Sequence, residues 1–253
     1  MSDAAPPKYL DGPNGRLAYR YRAGDVSKPC VVWFGGLKSD MLGTKAEFLD
    51  EWASKTNTGF LRFDYSGHGE SDGAFEDGVI GDWAADALSV IDAVAPGNCV
   101  FIGSSMGAWA STIVALKRPN ILYSAIFIAP APDFTERLLL PSLSDKERRD
   151  LAQIGRVERS SEYEEGPEIF TKKLFDDGRA NLVMNGMVNI ECPVQIFHGL
   201  RDDVVPWRHA VDFAEQITSE NVEISLIKAA DHRLSTPGDL ERLAKAVNVS
   251  VNY

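Results

Sequence analysis

Short runs of β-branched and aromatic residues alternate with helix-periodic segments along most of the chain, and this alternation constrains the fold most. Leu17–Arg22 alternates with period two, as a half-exposed strand does. Cys30–Phe34 (CVVWF) is a continuous apolar run ended by Gly35-Gly36, as in a strand buried on both faces. Thr44–Lys55 carries Phe48, Leu49 and Trp52 at helical spacing, and Phe60–Phe63 reads as a strand. Trp83–Val94 forms an amphipathic helix closed by Pro96-Gly97. Strand Cys99–Ile102, helix Met106–Arg118 and strand Ala125–Ala129 follow. Val194–Phe197 and Val222–Ile227 read as strands around a helix from Arg208 to Thr218. Thr236, Pro237 and Asp239 make a capping-box-like start for the last helix.

Strands separated by helices of about 10–15 residues form βαβ units, so an α/β fold is predicted. Its central sheet is mostly parallel, with helices on both faces. Residues 135–192 break the rhythm: the stretch is charged and helix-prone, with no convincing central strand. Ligands of such sheets bind outside the carboxyl ends of the strands, and an insertion leaving there covers that site. The chain is therefore divided into a core of 1–134 and 193–253 and a cap or lid insertion of 135–192, within one continuous domain. The acidic residues of Glu158–Glu168 read as a solvated face of that cap.

The 253 residues include 26 Lys+Arg and 37 Asp+Glu, a net charge of −11. That balance repels nucleic acid and anionic membrane surfaces, and neither is expected as a partner. Cys30, Cys99 and Cys192 are too few and too scattered for a disulfide framework or a zinc site. The N-terminus, MSDAAPPKYLDG, has no apolar h-region and no Arg-rich transit pattern. The longest near-apolar stretch, Ile121 to Pro132, is too short for a transmembrane segment. The expected location is a bacterial-type cytoplasm, or the mitochondrial matrix if a transit peptide has been removed.

Gly103-Ser104-Ser105-Met106-Gly107 fits G-x-S-x-G, and its context carries more weight than the pattern. A strand feeds it and a helix leaves it, as a nucleophile elbow requires. Gly103 and Gly107 leave room for a strained backbone, and Ser105 Oγ would project at a helix N-terminus that favours developing negative charge. A serine at its ordinary pKa needs a base. Of four histidines, His232 lies between the last strand and the last helix, where it can reach back over the sheet. His68 and His198 are read as structural supports and His209 as a solvent-facing helix position.

The acid comes from HGLRDDVVP at 198–206. Asp202 is preferred, with Asp203 as competitor; no further oxygen ligands surround the pair, so no metal is expected. Two backbone N–H groups should form an oxyanion hole: Met106, after the nucleophile, and Gly36 or Leu37 in the glycine loop. Trp109, four residues past Ser105, is read first as core and second as a wall of the acyl pocket; Leu37 is the other candidate substrate contact. Trp83 is read as core, and Trp207 as packing beside the Asp202 loop.

With these pieces in order, the chain resembles an α/β-hydrolase-fold serine hydrolase. GSSMG, DYSGHGESDG at 64–73, HGLRDDVVP and DHR at 231–233 carry the likeness. GTKA at 43–46, FDYSG at 63–67, GSSMGAW at 103–109, YEEG at 163–166 and DDVVPW at 202–207 narrow it. They resemble the palmitoyl-protein thioesterase and acyl-glucuronide esterase group of mitochondria, which hydrolyses S-acyl and acyl-ester bonds without a cofactor. The resemblance implies Ser105, Asp202 and His232 as triad, Gly36 and Met106 as oxyanion donors, and no cofactor or metal. The substrate it implies is a small-molecule ester or thioester, or an acylated protein, cleaved through an acyl-enzyme. Rival readings are a serine aminopeptidase or carbon–carbon bond hydrolase on the same residues and, from another class, a non-enzymatic ligand sensor.

Overall fold

The computed structural model describes residues 6–95, 97–160 and 167–253. Eight strands build the central sheet, in spatial order β1-β2-β4-β3-β5-β6-β9-β10. They are β1 (Lys8–Gly12), β2 (Gly15–Arg22), β3 (Cys30–Phe34), β4 (Phe60–Phe63), β5 (Cys99–Ser104), β6 (Leu122–Ile128), β9 (Val194–Gly199) and β10 (Val222–Ile227). β1 and β2 are antiparallel to their neighbours, whereas the six strands from β4 to β10 run parallel.

Each central strand feeds two hydrophobic layers. Val32, Phe34 and Phe101 pack on one face with Trp83, Trp109 and Phe213. These come from α2 (Ile80–Val94), α3 (Met106–Lys117) and α7 (Trp207–Gln216). Val31, Trp33, Val100 and Ile102 pack on the other with Leu49, Trp52, Leu243 and Val247. Those helices are α1 (Thr44–Thr56) and α8 (Pro237–Ser250). Burial on both faces is why β3 and β5 read as unbroken apolar runs rather than alternating ones. The start of α8 is the anticipated capping box: Thr236 Oγ1 accepts from Asp239 N, and Asp239 Oδ2 accepts from Thr236 N.

Two features were not readable as strands. β1 is an edge strand with an exposed or half-exposed face, held by one ladder that pairs Leu10 with Leu17, so it carries little apolar periodicity. Within 135–192, β7 (Arg156–Ser160) and β8 (Pro167–Thr171) form a separate antiparallel hairpin. Its charged sequence hides one inward pair, Val157 opposite Phe170, both buried. Its helical parts are a π-type turn at Thr135–Leu139, α4 (Leu140–Ser142), α5 (Asp145–Gln153) and α6 (Lys172–Ala180). The buried Asp133 carboxylate ties its two ends, accepting from Val183 N at 2.9 Å and Met184 N at 2.8 Å. YEEG at 163–166, and with it most of the acidic run, lies outside the described residues.

Candidate active site

The strand register fixes where the nucleophile candidate stands. β5 lies between β3, with Phe34 opposite Gly103, and β6, with Ser104 opposite Ile128. The chain then turns into α3 within one residue, and Ser105 takes φ 53°, ψ −119°. A non-glycine residue there is strained and persists only where its surroundings over-determine it. Here Ser105 N donates to Ile128 O at 2.9 Å, while Ser105 O accepts from Ala108 N and Ala131 N. Glycine on either side is obligatory for space: a Cβ at Gly103 would lie 2.6 Å from Ala108 Cα, and one at Gly107 2.2 Å from Phe34 O.

His232 reaches this serine from the β10–α8 loop. Its Nε2 lies 3.1 Å from Ser105 Oγ and its Nδ1 2.8 Å from Asp202 Oδ2. The loop is stiffened locally, because Asp231 Oδ1 accepts from Arg233 N and Leu234 N, and Lys45 Nζ donates to Arg233 O at 2.5 Å. Asp202 closes a turn after β9, its Oδ1 accepting from Val204 N at 2.9 Å and Val205 N at 2.8 Å. Its side chain is wholly buried, whereas Asp203 is exposed. Burial pushes the Asp202 carboxyl up, but hydrogen bonds from His198 and His232, the charge of His232 and the Val205 N–H outweigh it. The net result holds the group well below the usual carboxylate range.

The loop after β3 lies over the elbow. A Cβ at Gly36 would be 3.6 Å from Ser105 Cβ. Among the described residues no acceptor takes the N–H of Gly36, Leu37 or Met106. His68 props this loop: its Nε2 accepts from Lys38 N at 3.2 Å while its Nδ1 donates to Ser66 O. Burial pushes His68 down to about 4, so it is the neutral ring that can accept. His209 departs from the expected exposed position: it is 5% exposed and its Nε2 donates to Pro132 O at 2.8 Å. The first turn of α7 packs against the 130–134 segment, a contact between distant parts of the chain that helical periodicity does not encode.

A cavity of about 500 Å³ opens on Ser105 and His232, and Gly36, Leu37 and Met106 line it too. Its remaining wall mixes apolar groups, among them Phe134, Leu138, Leu139 and Phe170, with Lys45, Glu168 and Arg233. Lys45 is half-buried, and burial pushes its ammonium down to about 8. Trp109, the other expected substrate contact, does not line this cavity. It is fully buried, donates from Nε1 to Asn181 O, and packs edge-on behind the lining residue Phe134 at 5.5 Å. Phe134 and Leu138 stand four apart and carried a readable signal; Phe170 did not, being one apolar position in a charged hairpin. Among the described residues no group of three or more His, Cys, Asp or Glu is placed to hold a metal ion.

This fold, elbow and strand order can be set against known proteins. The model of the Alpha/beta hydrolase family matches residues 33–246. The chain belongs to the alpha/beta hydrolase family, and it is a hydrolase. Bos taurus palmitoyl-protein thioesterase ABHD10, mitochondrial, is 33% identical over 241 residues, covering 94% of this chain and 76% of the relative. The Homo sapiens protein of the same name is 31% identical over 239 residues, with the same shares covered. Among solved structures, an Agrobacterium vitis S4 protein superposes with a TM-score of 0.94 at 40% identity, covering 97% of this chain and 98% of that one. Mouse alpha/beta hydrolase domain-containing protein 10 superposes at 0.89 with 29% identity and the same coverage. The described helices include none long and apolar enough to cross a membrane.

Proposed function

We propose that this hydrolase cleaves carboxylic ester or thioester bonds, with Ser105 as nucleophile, His232 as general base and Asp202 as the acid that orients it. The observation that carries the reading is the unbroken row from Ser105 Oγ through both His232 nitrogens to Asp202 Oδ2, at 3.1 and 2.8 Å, facing a cavity. Asp202 accepts from Nδ1, which leaves Nε2 as the lone pair facing Oγ. His232 takes the Ser105 proton as Oγ adds to the carbonyl carbon. The oxyanion is held by the N–H of Met106 and of the glycine loop, at Gly36 with Leu37 adjacent, and by the positive end of α3. His232 returns that proton to the leaving alcohol or thiol as its bond to carbon breaks. Water, deprotonated by His232, then releases the carboxylic acid and restores Ser105.

Segment 135–192 acts in this reading as a cap, since Leu138, Leu139 and Phe170 close the cavity over the strand ends. The proposed substrates are S-acyl thioesters, on a small molecule or a protein, which the relatives' name and the apolar lining support, and acyl esters including acyl glucuronides. The location proposed with it is the cytoplasm, or the mitochondrial matrix, the latter in keeping with the word mitochondrial in the relatives' name. The test is turnover of a p-nitrophenyl acyl ester and an acyl thioester beside an aminoacyl amide. Ser105→Ala should lower ester turnover by about 10⁴-fold or more with the fold intact. A fluorophosphonate should label Ser105; retained activity in the variant, or faster amide than ester cleavage, overturns the assignment.

A further inference from the structure

Asp202 Oδ2 is shared between two imidazoles. Besides His232 Nδ1 at 2.8 Å, it has the Nε2 of His198 at 3.2 Å. His198 stands at the end of β9, four residues before Asp202, and is wholly buried. Its Nε2 is also 2.9 Å from Val205 O. A carbonyl and a carboxylate only accept, so Nε2 carries a proton; its hydrogen bond runs to Val205 O, with Oδ2 beside it. Among the described residues the other nitrogen, Nδ1, has no hydrogen-bond partner.

That last point makes the ring more than packing. An unsatisfied nitrogen inside a core costs free energy that leucine or phenylalanine at the same place would not incur. What the imidazole supplies and an apolar side chain cannot is an Nε2–H that is bonded to Val205 O and stands only 3.2 Å from Oδ2. Asp202 accepts from Val204 N and Val205 N on Oδ1 and from His232 Nδ1 on Oδ2, and the His198 N–H adds its partial positive charge beside Oδ2. No lysine or arginine is ion-paired with this carboxylate among the described residues.

We propose that His198 is a positioning residue of the hydrolytic site, which holds Asp202 Oδ2 toward His232 and limits how strongly that oxygen attracts the imidazolium. The proposal rests on the reading of Ser105, His232 and Asp202 given above. Two backbone donors on Oδ1 and the two rings flanking Oδ2 fix the plane of the carboxylate, so that it stays turned toward Nδ1. The His198 N–H also draws on the charge of Oδ2, which would otherwise fall wholly on the His232 ring. The other charged or titratable groups on this side of the site are His209, with Arg137 and Asp212 acting on it, and, around the cavity with His232, Asp203, Arg233 and Lys45, the last also under the charge of Asp231.

The experiment is the pH profile of kcat and kcat/KM on a neutral p-nitrophenyl ester for the wild type and for His198→Leu, His198→Asn and His198→Gln. Without the donor, His198→Leu should lower kcat about tenfold, leave KM within about twofold, and raise the acid-side midpoint by about half a pH unit. His198→Gln, whose amide donates from near the Nε2 position, should recover the midpoint and most of the rate. If the leucine variant does not fold, His198→Asn carries the same expectation, because its shorter amide does not reach Oδ2. An unchanged midpoint in folded leucine and asparagine variants overturns the proposal, as does a glutamine variant no better than they are. Fluorophosphonate labelling of wild-type Ser105 separates the two readings. Labelling with unmoved midpoints removes only the role of His198, and absent labelling removes the catalytic assignment itself.

Discussion

Replacing Asp202 with asparagine isolates the charge from the shape. The Asp202 Oδ1 position faces two backbone donors, Val204 N and Val205 N, that cannot change protonation. The amide oxygen must therefore sit there, which puts the new NH₂ where Oδ2 was, 2.8 Å from His232 Nδ1. Two donors cannot face each other, so His232 shifts its proton to Nε2 and aims it at Ser105 Oγ, 3.1 Å away. The ring then has no lone pair for the serine proton. In the proposed mechanism the reaction must first reverse that tautomer and then form an imidazolium with no carboxylate behind it. Each charge-assisted hydrogen bond lost is worth roughly 1.5–3 kcal/mol, and two effects of this size give about 3–6 kcal/mol. This corresponds to a fall of about 10²–10⁴ in kcat. Stopped-flow or steady-state turnover of a p-nitrophenyl ester measures it, with the rate of fluorophosphonate labelling as a second readout. Asp203→Asn is the control: the side chain is exposed, and its kcat should stay within about threefold of wild type. An Asp202→Asn enzyme within tenfold of wild type, or an Asp203→Asn enzyme that loses as much, would refute the reasoning.

Two further outcomes follow from packing and burial. Gly107→Ala should destabilise the protein by about 2–3 kcal/mol and depress turnover, because the added Cβ meets Phe34 O at 2.2 Å and Gly35 O at 2.5 Å, both backbone. Gly186→Ala, with nothing within 4 Å of its Cβ, should shift the urea midpoint little; equal midpoints for the two variants would contradict this. Burial pushes the Asp64 carboxyl up to about 6, against the hydrogen bonds from Glu70 N and Met41 N. A folded value above the unfolded one means that this group's contribution is fully present below about pH 4 and is lost as pH rises through about 6. Urea midpoints between pH 4 and 7 should therefore show a fall of about 2–3 kcal/mol with rising pH that Asp64→Asn lacks; parallel profiles for variant and wild type would exclude it.

Much of this molecule was legible before its coordinates, for reasons that differ by element. β3 and β5 announced themselves because helices cover both faces, so every residue had to be apolar. α8 was readable from Thr236 and Asp239 because a capping box is a local exchange of hydrogen bonds within four residues. The elbow was readable for the same reason: Gly103 and Gly107 answer to a crowded turn only a few residues long. The β1 strand and the hairpin of Arg156–Ser160 and Pro167–Thr171 were not readable, because each depends on a partner strand and shows few apolar residues.

By itself, the sequence determined the class of sheet, the position of the elbow, and which serine, histidine and aspartates were available for chemistry. These follow from short-range sterics, local capping and the periodicity of burial. Only the tertiary structure decided that Asp202 faces inward while Asp203 faces solvent, since one turn after β9 aims adjacent side chains in different directions. It also buried His209 against Pro132 O, withdrew Trp109 behind Phe134, and set His198 beside Asp202 Oδ2. Those outcomes come from side-chain direction and from contacts between segments far apart in the chain, and neither is written in the spacing of residues along it.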